Sequence, residues 1–377
     1  MGCCTSQSGK GPDKAKIAKT KSDKPPVNGK DGQLLTELDA LSIVDIVEST
    51  GAAGSGRKIF VGGKRDVDPL NMASFVDRCV EIMGDADTLP AGIAFTCRKG
   101  LKPDTPNQDT WCALKMDTFS IFAVFDGHGP NGHEISHFVK EHLPKVIVQD
   151  PRSKAPEVGS CLADAFKKTQ RLVAAAESRK RLYARTSGTT ATVAFFDHSR
   201  SKLTIAHVAD SAAAIGTKMG EKWLGKPLTR DHKPNVKGEL ERIEKTGAKI
   251  GFDGTSHRVY AKDSRFPGLN MSRSLGDTLG HAECGITCEP EITRLDIDTS
   301  SKQMLLICSD GVWEFISAQE AVEIVGMRPP ELCDEAVSLL AKESWDRWIR
   351  EEGAAVVDDI TVGVVHIGKE DCGNCSI

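Results

Sequence analysis

Asp126, Gly127, His128 and Gly129 follow directly on an apolar run, Phe119-Ser120-Ile121-Phe122-Ala123-Val124-Phe125. Glycines beside an acid let the backbone turn tightly, so that the Asp126 carboxylate, the Gly127 carbonyl and the His128 ring can face one point. Oxygen donors grouped in this way suit a hard divalent cation such as Mg²⁺ or Mn²⁺. On these residues alone His128 reads equally well as a further metal ligand. The pattern recurs: Leu203–Ala209 runs into Asp210-Ser211, and Met304–Ser309 runs into Asp310-Gly311. Near the C-terminus the order is reversed, with Asp358-Asp359 preceding Ile360-Thr361-Val362-Gly363-Val364-Val365. Taken singly, each acid is a turn former. Together they are carboxylates that repel one another unless a cation joins them.

The elements that must position these acids are strands. The apolar runs before Asp126, Asp210 and Asp310 have strand length and composition, so each acid sits at a strand exit. A last strand antiparallel to a neighbour begins where that neighbour ends, which brings Asp358 to the same edge. Further strands are expected over 92–97, 110–116 and 188–196. Helices are expected from Ile135 through Val146, from Leu162 through Val173, over 235–246 with Gly247 closing it, and over 318–325 and 331–349. Residues 251–269, rich in Gly, Ser, Asp and Arg, read as an irregular loop. Strands joined by hairpin-like links, with paired helices between them, indicate an α+β fold with largely antiparallel sheets.

With 377 residues, 27% charged and 39% hydrophobic, the chain has the composition of a soluble protein with one large core. No apolar run approaches a membrane span and no signal-peptide core follows Met1, so a cytosolic origin is expected. The twelve cysteines include Cys79, Cys97, Cys112 and Cys308 in apolar surroundings and read as reduced thiols. Cys372-Gly373-Asn374-Cys375 has redox-motif spacing but no second pair.

Residues 1–30 hold seven lysines and two aspartates, a net of +5, which leaves −4 minus +5, or −9, for the rest. An acidic body argues against nucleic acid as a partner, and a basic tail argues for an acidic surface. Met1-Gly2-Cys3-Cys4-Thr5-Ser6 fits myristoylation of Gly2, with Cys3 and Cys4 as palmitoylation sites. A second acyl chain and the lysines would make membrane attachment stable. The expected location is the cytoplasmic face of the plasma membrane. The organisation predicted is a lipidated, basic, disordered tether over 1–30, a helical extension over 31–90, a main domain over 91–368 and a tail over 369–377. In the extension, 34–50 and 72–83 have helical spacing, and docking or autoinhibition is a possible role.

Eight motifs in order now resemble one family: Asn107-Gln108-Asp109, Asp126-Gly127-His128-Gly129, Ser187-Gly188-Thr189-Thr190-Ala191, Ala209-Asp210-Ser211, Asp231-His232-Lys233-Pro234, Ser272-Arg273-Ser274-Leu275-Gly276-Asp277, Ser309-Asp310-Gly311-Val312-Trp313 and Asp358-Asp359-Ile360-Thr361. Residues 91–367 look like the metal-dependent serine/threonine protein phosphatases of type 2C. The resemblance implies two central antiparallel sheets sandwiched between pairs of helices, with a dinuclear Mg²⁺ or Mn²⁺ site at one end. Asp126, the Gly127 carbonyl, Asp310 and Asp358 would be the metal ligands, and Asp210, Asp310 and Glu314 would form a third site. His128 would be the general acid, Arg98 the ligand of the substrate phosphate, and 251–269 a variable flap. It further implies phosphoprotein substrates, with the chain expected to be a monomer. Gln108, Ala209, Ala212 and Glu314 depart from the residues common in the family. A pseudophosphatase scaffold is the alternative reading, and a metal-dependent nuclease a more distant one.

Overall fold

The computed structural model describes residues 29–49, 58–62, 82–84, 89–102, 106–353 and 356–368. The chain begins with helices α1 (Gly29–Asp39) and α2 (Ile43–Ser49), followed by strands β1 (Lys58–Gly62), β2 (Ile82–Gly84), β3 (Ile93–Arg98), β4 (Asp109–Lys115) and β5 (Phe119–His128). Helices α3 (Gly132–Gln149) and α4 (Gly159–Ser178) lead to β6 (Gly188–Thr189), β7 (Ala191–Asp197), β8 (Lys202–Val208), β9 (Ala212–Met219) and β10 (Lys222–Pro227). Next come α5 (Lys237–Glu244), β11 (Lys249–Phe252), β12 (His257–Tyr260), β13 (Pro267–Leu269), β14 (Leu275–Gly276), α6 (Thr278–Glu283), β15 (Glu291–Asp296) and β16 (Lys302–Cys308). Helices α7 (Asp310–Trp313), α8 (Ala318–Gly326) and α9 (Cys333–Glu351) precede the last strand, β17 (Ile360–Gly368).

Two antiparallel sheets form the centre. One has the order β15-β8-β7-β5-β4-β1-β2 with β6 and β14 attached beside β5, and the other has the order β10-β9-β16-β17-β3. Period-two alternation assigns each side chain to a layer. On β5, Phe119, Ile121, Ala123 and Phe125 pack with α3 and α4, while Phe122 and Val124 enter the space between the sheets. On β16, Met304, Leu306 and Cys308 pack with α8 and α9, while Leu305 and Ile307 face inward. Burial of both faces explains why these strands read as unbroken apolar runs. The four layers are thus helices, sheet, sheet and helices, as the resemblance implied.

The N-terminal stretch differs from the expectation in two ways. The single helix expected over 34–50 is broken at Leu41-Ser42, where Ser42 starts a new helix: its Oγ accepts from Asp45 N–H, and Asp45 Oδ2 accepts from Ser42 N–H. Leu41, counted towards the apolar stripe, is 40% exposed. The extension is also not wholly helical, because β1 pairs with β4 and extends the first sheet, and Ile82 and Met83 lie in β2. The rest of the helix expected over 72–83 lies outside the described residues. Leu35, Leu38, Ile46 and Val47 are buried in the same core as α3 and α4, so α1 and α2 are built into the helical layer.

Residues 249–269 are not irregular: β11, β12 and β13 form a small antiparallel sheet. Its strands have three or four residues each and are mostly half-buried, too short to show a period. The described cysteines are free thiols; residues 372–375 lie outside the described set.

Candidate active site

Four chain segments meet at one edge of the sheets. Asp126 lies near the end of β5, opposite Asp109 of β4 in register. β17 runs antiparallel to β16 with Cys308 opposite Val362, so Asp310, two residues after that pair, returns beside Asp358-Asp359. The backbone confirms the approach: Ser309 N–H donates to Thr361 O at 3.1 Å. Gly127 is required here by space, since a Cβ would lie 2.4 Å from Gly132 O and 2.7 Å from Gln108 O.

The acids crowd one another. Burial, then the charges of Asp310, Asp109 and Asp358, push the Asp126 carboxyl well above the usual carboxylate range. Burial, then Asp358 and Asp210, do the same to Asp310. Asp109, which accepts from Thr361 Oγ1 at 2.7 Å, is pushed up to about 7 by burial and by Asp359. Asp359 fixes the surrounding loop: its two oxygens accept from Gly100 N–H at 2.7 Å and Gln108 N–H at 2.8 Å.

Two ammonium groups reach these acids, and sequence reasoning missed both. Lys102 Nζ pairs with Asp358. Burial opposes its charge, but Asp358 and Asp359 outweigh burial and hold its pKa above the ordinary lysine value. Lys233 Nζ pairs with Asp210. Among the described residues no three His, Cys, Asp or Glu side chains are gathered into a closed metal cage. Yet Asp310 Oδ1 and Asp210 Oδ1 are buried without a hydrogen-bond partner, and the donors are carboxylates whose repulsion a cation would cancel. The donor set therefore fits hard divalent cations. Glu314 follows Asp310 by one helical turn, its N–H donating to Asp310 O at 2.9 Å. Burial, then Asp210, with Glu314 contributing, raise the pKa of Asp231. Ala209, just before Asp210, has a left-handed φ of 75°.

His128 points its Nε2 at Asp277 Oδ2, 2.7 Å away across 149 residues of chain. Asp277 is fully buried, and its Oδ2 also accepts from Ser274 Oγ at 2.6 Å. Gly188 gives the pair room: a Cβ there would lie 2.2 Å from Asp277 Oδ2 and 2.7 Å from His128 Nε2. Burial lowers the His128 pKa, but Asp277 outweighs burial and raises it. His128 Nδ1 has no protein partner. The sequence indicates Asp277 only as a buried acceptor; its bond to His128 appears when β14 pairs with β6 beside β5.

Arg98 ends β3 opposite Ile360 and is 8% exposed, whereas the Lys102 side chain is 34% exposed. Gln108 holds the turn after Asp126, its Nε2 donating to Gly129 O at 2.8 Å. Ser272 and Arg273 have a structural role, since with Arg242 they hold the buried Glu239 carboxylate. Gly2, Cys3 and Cys4 lie outside the described residues.

A family model described as Protein phosphatase 2C matches residues 103–336. Asp358 lies beyond that span, and its position is read from β17. The chain is 31% identical over 258 residues to probable protein phosphatase 2C 61 of Arabidopsis thaliana, covering 67% of this chain and 76% of that protein. It is 29% identical over 304 residues to probable protein phosphatase 2C 35 of the same plant, with coverage of 72% and 82%. Among solved structures, the serine-threonine phosphatase 2C from Toxoplasma gondii superposes with a TM-score of 0.62 at 19% identity, covering 74% of this chain and 96% of that one. A C. elegans sex determining protein gives 0.60 at 21% identity, with coverage of 74% and 66%.

Proposed function

The chain belongs to the protein phosphatase 2C family and is a metal-dependent protein serine/threonine phosphatase, and from that premise we propose how its residues divide the work and where it acts. Asp126, the Gly127 carbonyl, Asp310 and Asp358 hold two Mg²⁺ or Mn²⁺ ions, and Asp210 and Glu314, with Asp310, hold a third. Bound there, such ions supply positive charge for the transferring phosphoryl oxygens and acidify the attacking water. The observation that carries this reading is the convergence of Asp126, Asp310 and Asp358 with their raised or ion-paired carboxyl groups.

His128 is the general acid. Asp277 receives Nε2–H and Ser274 holds Asp277, which leaves Nδ1, a nitrogen with no protein partner, as the ring atom that would give a proton to the departing serine or threonine oxygen. The proton leaves Nδ1 as the phosphorus–oxygen bond breaks, and Asp277 stabilises the imidazolium before that step. The substrate phosphate also needs a cation from the protein. The family resemblance implies Arg98 for it, but Lys102 is more exposed and lies beside Asp358, and we propose that Lys102 makes that contact.

The location reading rests on sequence. Gly2 myristoylation, Cys3 and Cys4 palmitoylation and the seven lysines of residues 1–30 tether a monomer to the cytoplasmic face of the plasma membrane. Its substrates are phosphoproteins at that surface.

The testing assay is turnover of a phosphothreonine peptide with Mn²⁺ and after chelation. Wild type turns over only with the ion, and Asp310→Asn loses nearly all activity while staying folded. Absence of turnover in both conditions favours the scaffold reading, and undiminished turnover after chelation refutes the metal assignment. For location, Gly2→Ala should move the protein from membranes to the soluble fraction; full sedimentation of that variant with membranes refutes the anchor.

A further inference from the structure

Residues 31–377 carry a net charge of −9, yet Arg179-Lys180-Arg181-Leu182-Tyr183-Ala184-Arg185, between α4 and β6, holds four cations and no acid. Leu182 and Ala184 are buried in the helical core, and Arg181, Tyr183 and Arg185 alternate with them and face outward. Tyr183 is 66% exposed. The result is a row of cation, aromatic, cation on the surface, with Arg179 and Lys180 at its start.

The row is held in place. Ala184 O and Arg185 O accept from Thr278 and Leu279 N–H at 2.9 and 3.1 Å, and Ser187 O accepts from Asp277 N–H at 2.9 Å. Arg179 donates to Thr36 Oγ1 at 3.1 Å and Arg181 to Asp39 Oδ2 at 2.5 Å, which ties the row to α1. Lys180 and Arg185 have no acidic partner among the described residues. Helix α1 starts at Gly29, where the +5 stretch of residues 1–30 enters the fold. One anionic surface suits the cations of the row and the lysines that precede α1 in the sequence alike.

We propose that the 179–185 row, beside α1, is a docking surface for anionic phospholipid headgroups. An exposed row of guanidinium, ammonium and phenol groups suits a planar interface, where tyrosine sits at headgroup level and each cation contributes about 1 kcal/mol. Three residues after Arg185, Gly188 touches His128 and Asp277, so docking holds the catalytic edge near the membrane. The inference deepens the membrane reading above but does not depend on acylation.

The test uses the full chain made without acylation and sedimented with vesicles of phosphatidylcholine alone or of equal parts phosphatidylcholine and phosphatidylserine. Wild type should bind only the anionic vesicles, and less at high salt. Lys180→Gln with Arg185→Gln should weaken binding about 25-fold, at about fivefold per cation, and Tyr183→Ser should weaken it further. Turnover of soluble para-nitrophenyl phosphate and thermal stability should not change. The proposal is overturned if wild type ignores anionic vesicles, or if the loop variants bind as wild type does and only replacement of the tail lysines matters. It is equally overturned if the loop variants lose turnover of an acidic phosphopeptide in solution while vesicle binding persists, because the row then reads substrate. The acyl anchor is judged separately by Gly2→Ala in cells, so the two readings fail independently.

Discussion

Asp277 is the sharpest point at which to test how the site works. It touches no reacting atom, and its proposed role is to hold and charge His128. In Asp277→Asn the amide oxygen can take the place of Oδ2 and keep both hydrogen bonds, at 2.7 Å from His128 and 2.6 Å from Ser274, but the negative charge is gone. A hydrogen bond to a charged group is worth about 1.5–3 kcal/mol and a neutral one about 0.5–1.5. The difference, on the order of 1–1.5 kcal/mol, predicts a roughly tenfold loss of kcat on a phosphothreonine peptide. Asp277→Ala removes the acceptor altogether and should cost roughly 100-fold. The discriminating assay runs each variant on the peptide and on para-nitrophenyl phosphate, whose phenolate leaves with little protonation. The peptide rate should fall and the aryl rate should hold, with metal dependence unchanged. Equal losses on both substrates would refute the argument, because Asp277 would then serve folding or metal binding rather than the proton donor.

Other outcomes follow from the same geometry. Burial raises the pKa of Glu239, but Arg273, Arg242 and Ser272 outweigh it and bring the carboxylate down to about 2 from 4.5. A depressed acid stabilises the fold above its unfolded pKa and loses that contribution as pH falls through its folded pKa. Denaturation of wild type should therefore show about 3 kcal/mol of stabilisation present above pH 4.5 and lost towards pH 2, and Glu239→Gln should flatten that profile. Ala209 holds φ at 75°, so Ala209→Gly should raise stability by about 1 kcal/mol in urea titration; a loss would show that the methyl packing outweighs the strain. Gln108→Glu sets a carboxylate against Gly129 O in place of the amide donor and should destabilise by about 1–3 kcal/mol, measured by thermal unfolding. Lys102→Ala should weaken inhibition by inorganic phosphate roughly 10- to 100-fold, whereas Arg98→Ala should leave it unchanged if the assignment to Lys102 is right.

The helices and strands around the site were legible because their pattern is local. β5, β8 and β16 are buried on both faces, so each appears as an apolar run with an acid at its exit, and the reversed order at Asp358 already implied an antiparallel return. The eight motifs extended this to the family and its four layers. What the residues alone left open was which groups touch. Asp277 reaches His128 only because β14 lies beside β6, and Lys102 reaches Asp358 only because Asp359 pins Gly100 and Gln108. The break between α1 and α2 depends on a capping box competing with an apolar stripe that suggested one helix. The short strands of 249–269 are fixed by pairing with one another and have no period to read. Sequence determines periodicity and chemistry within a segment, because both arise between near neighbours in the chain. Charge partners, and with them proton affinities, are decided by distances between residues a hundred or more positions apart, which only the folded chain sets.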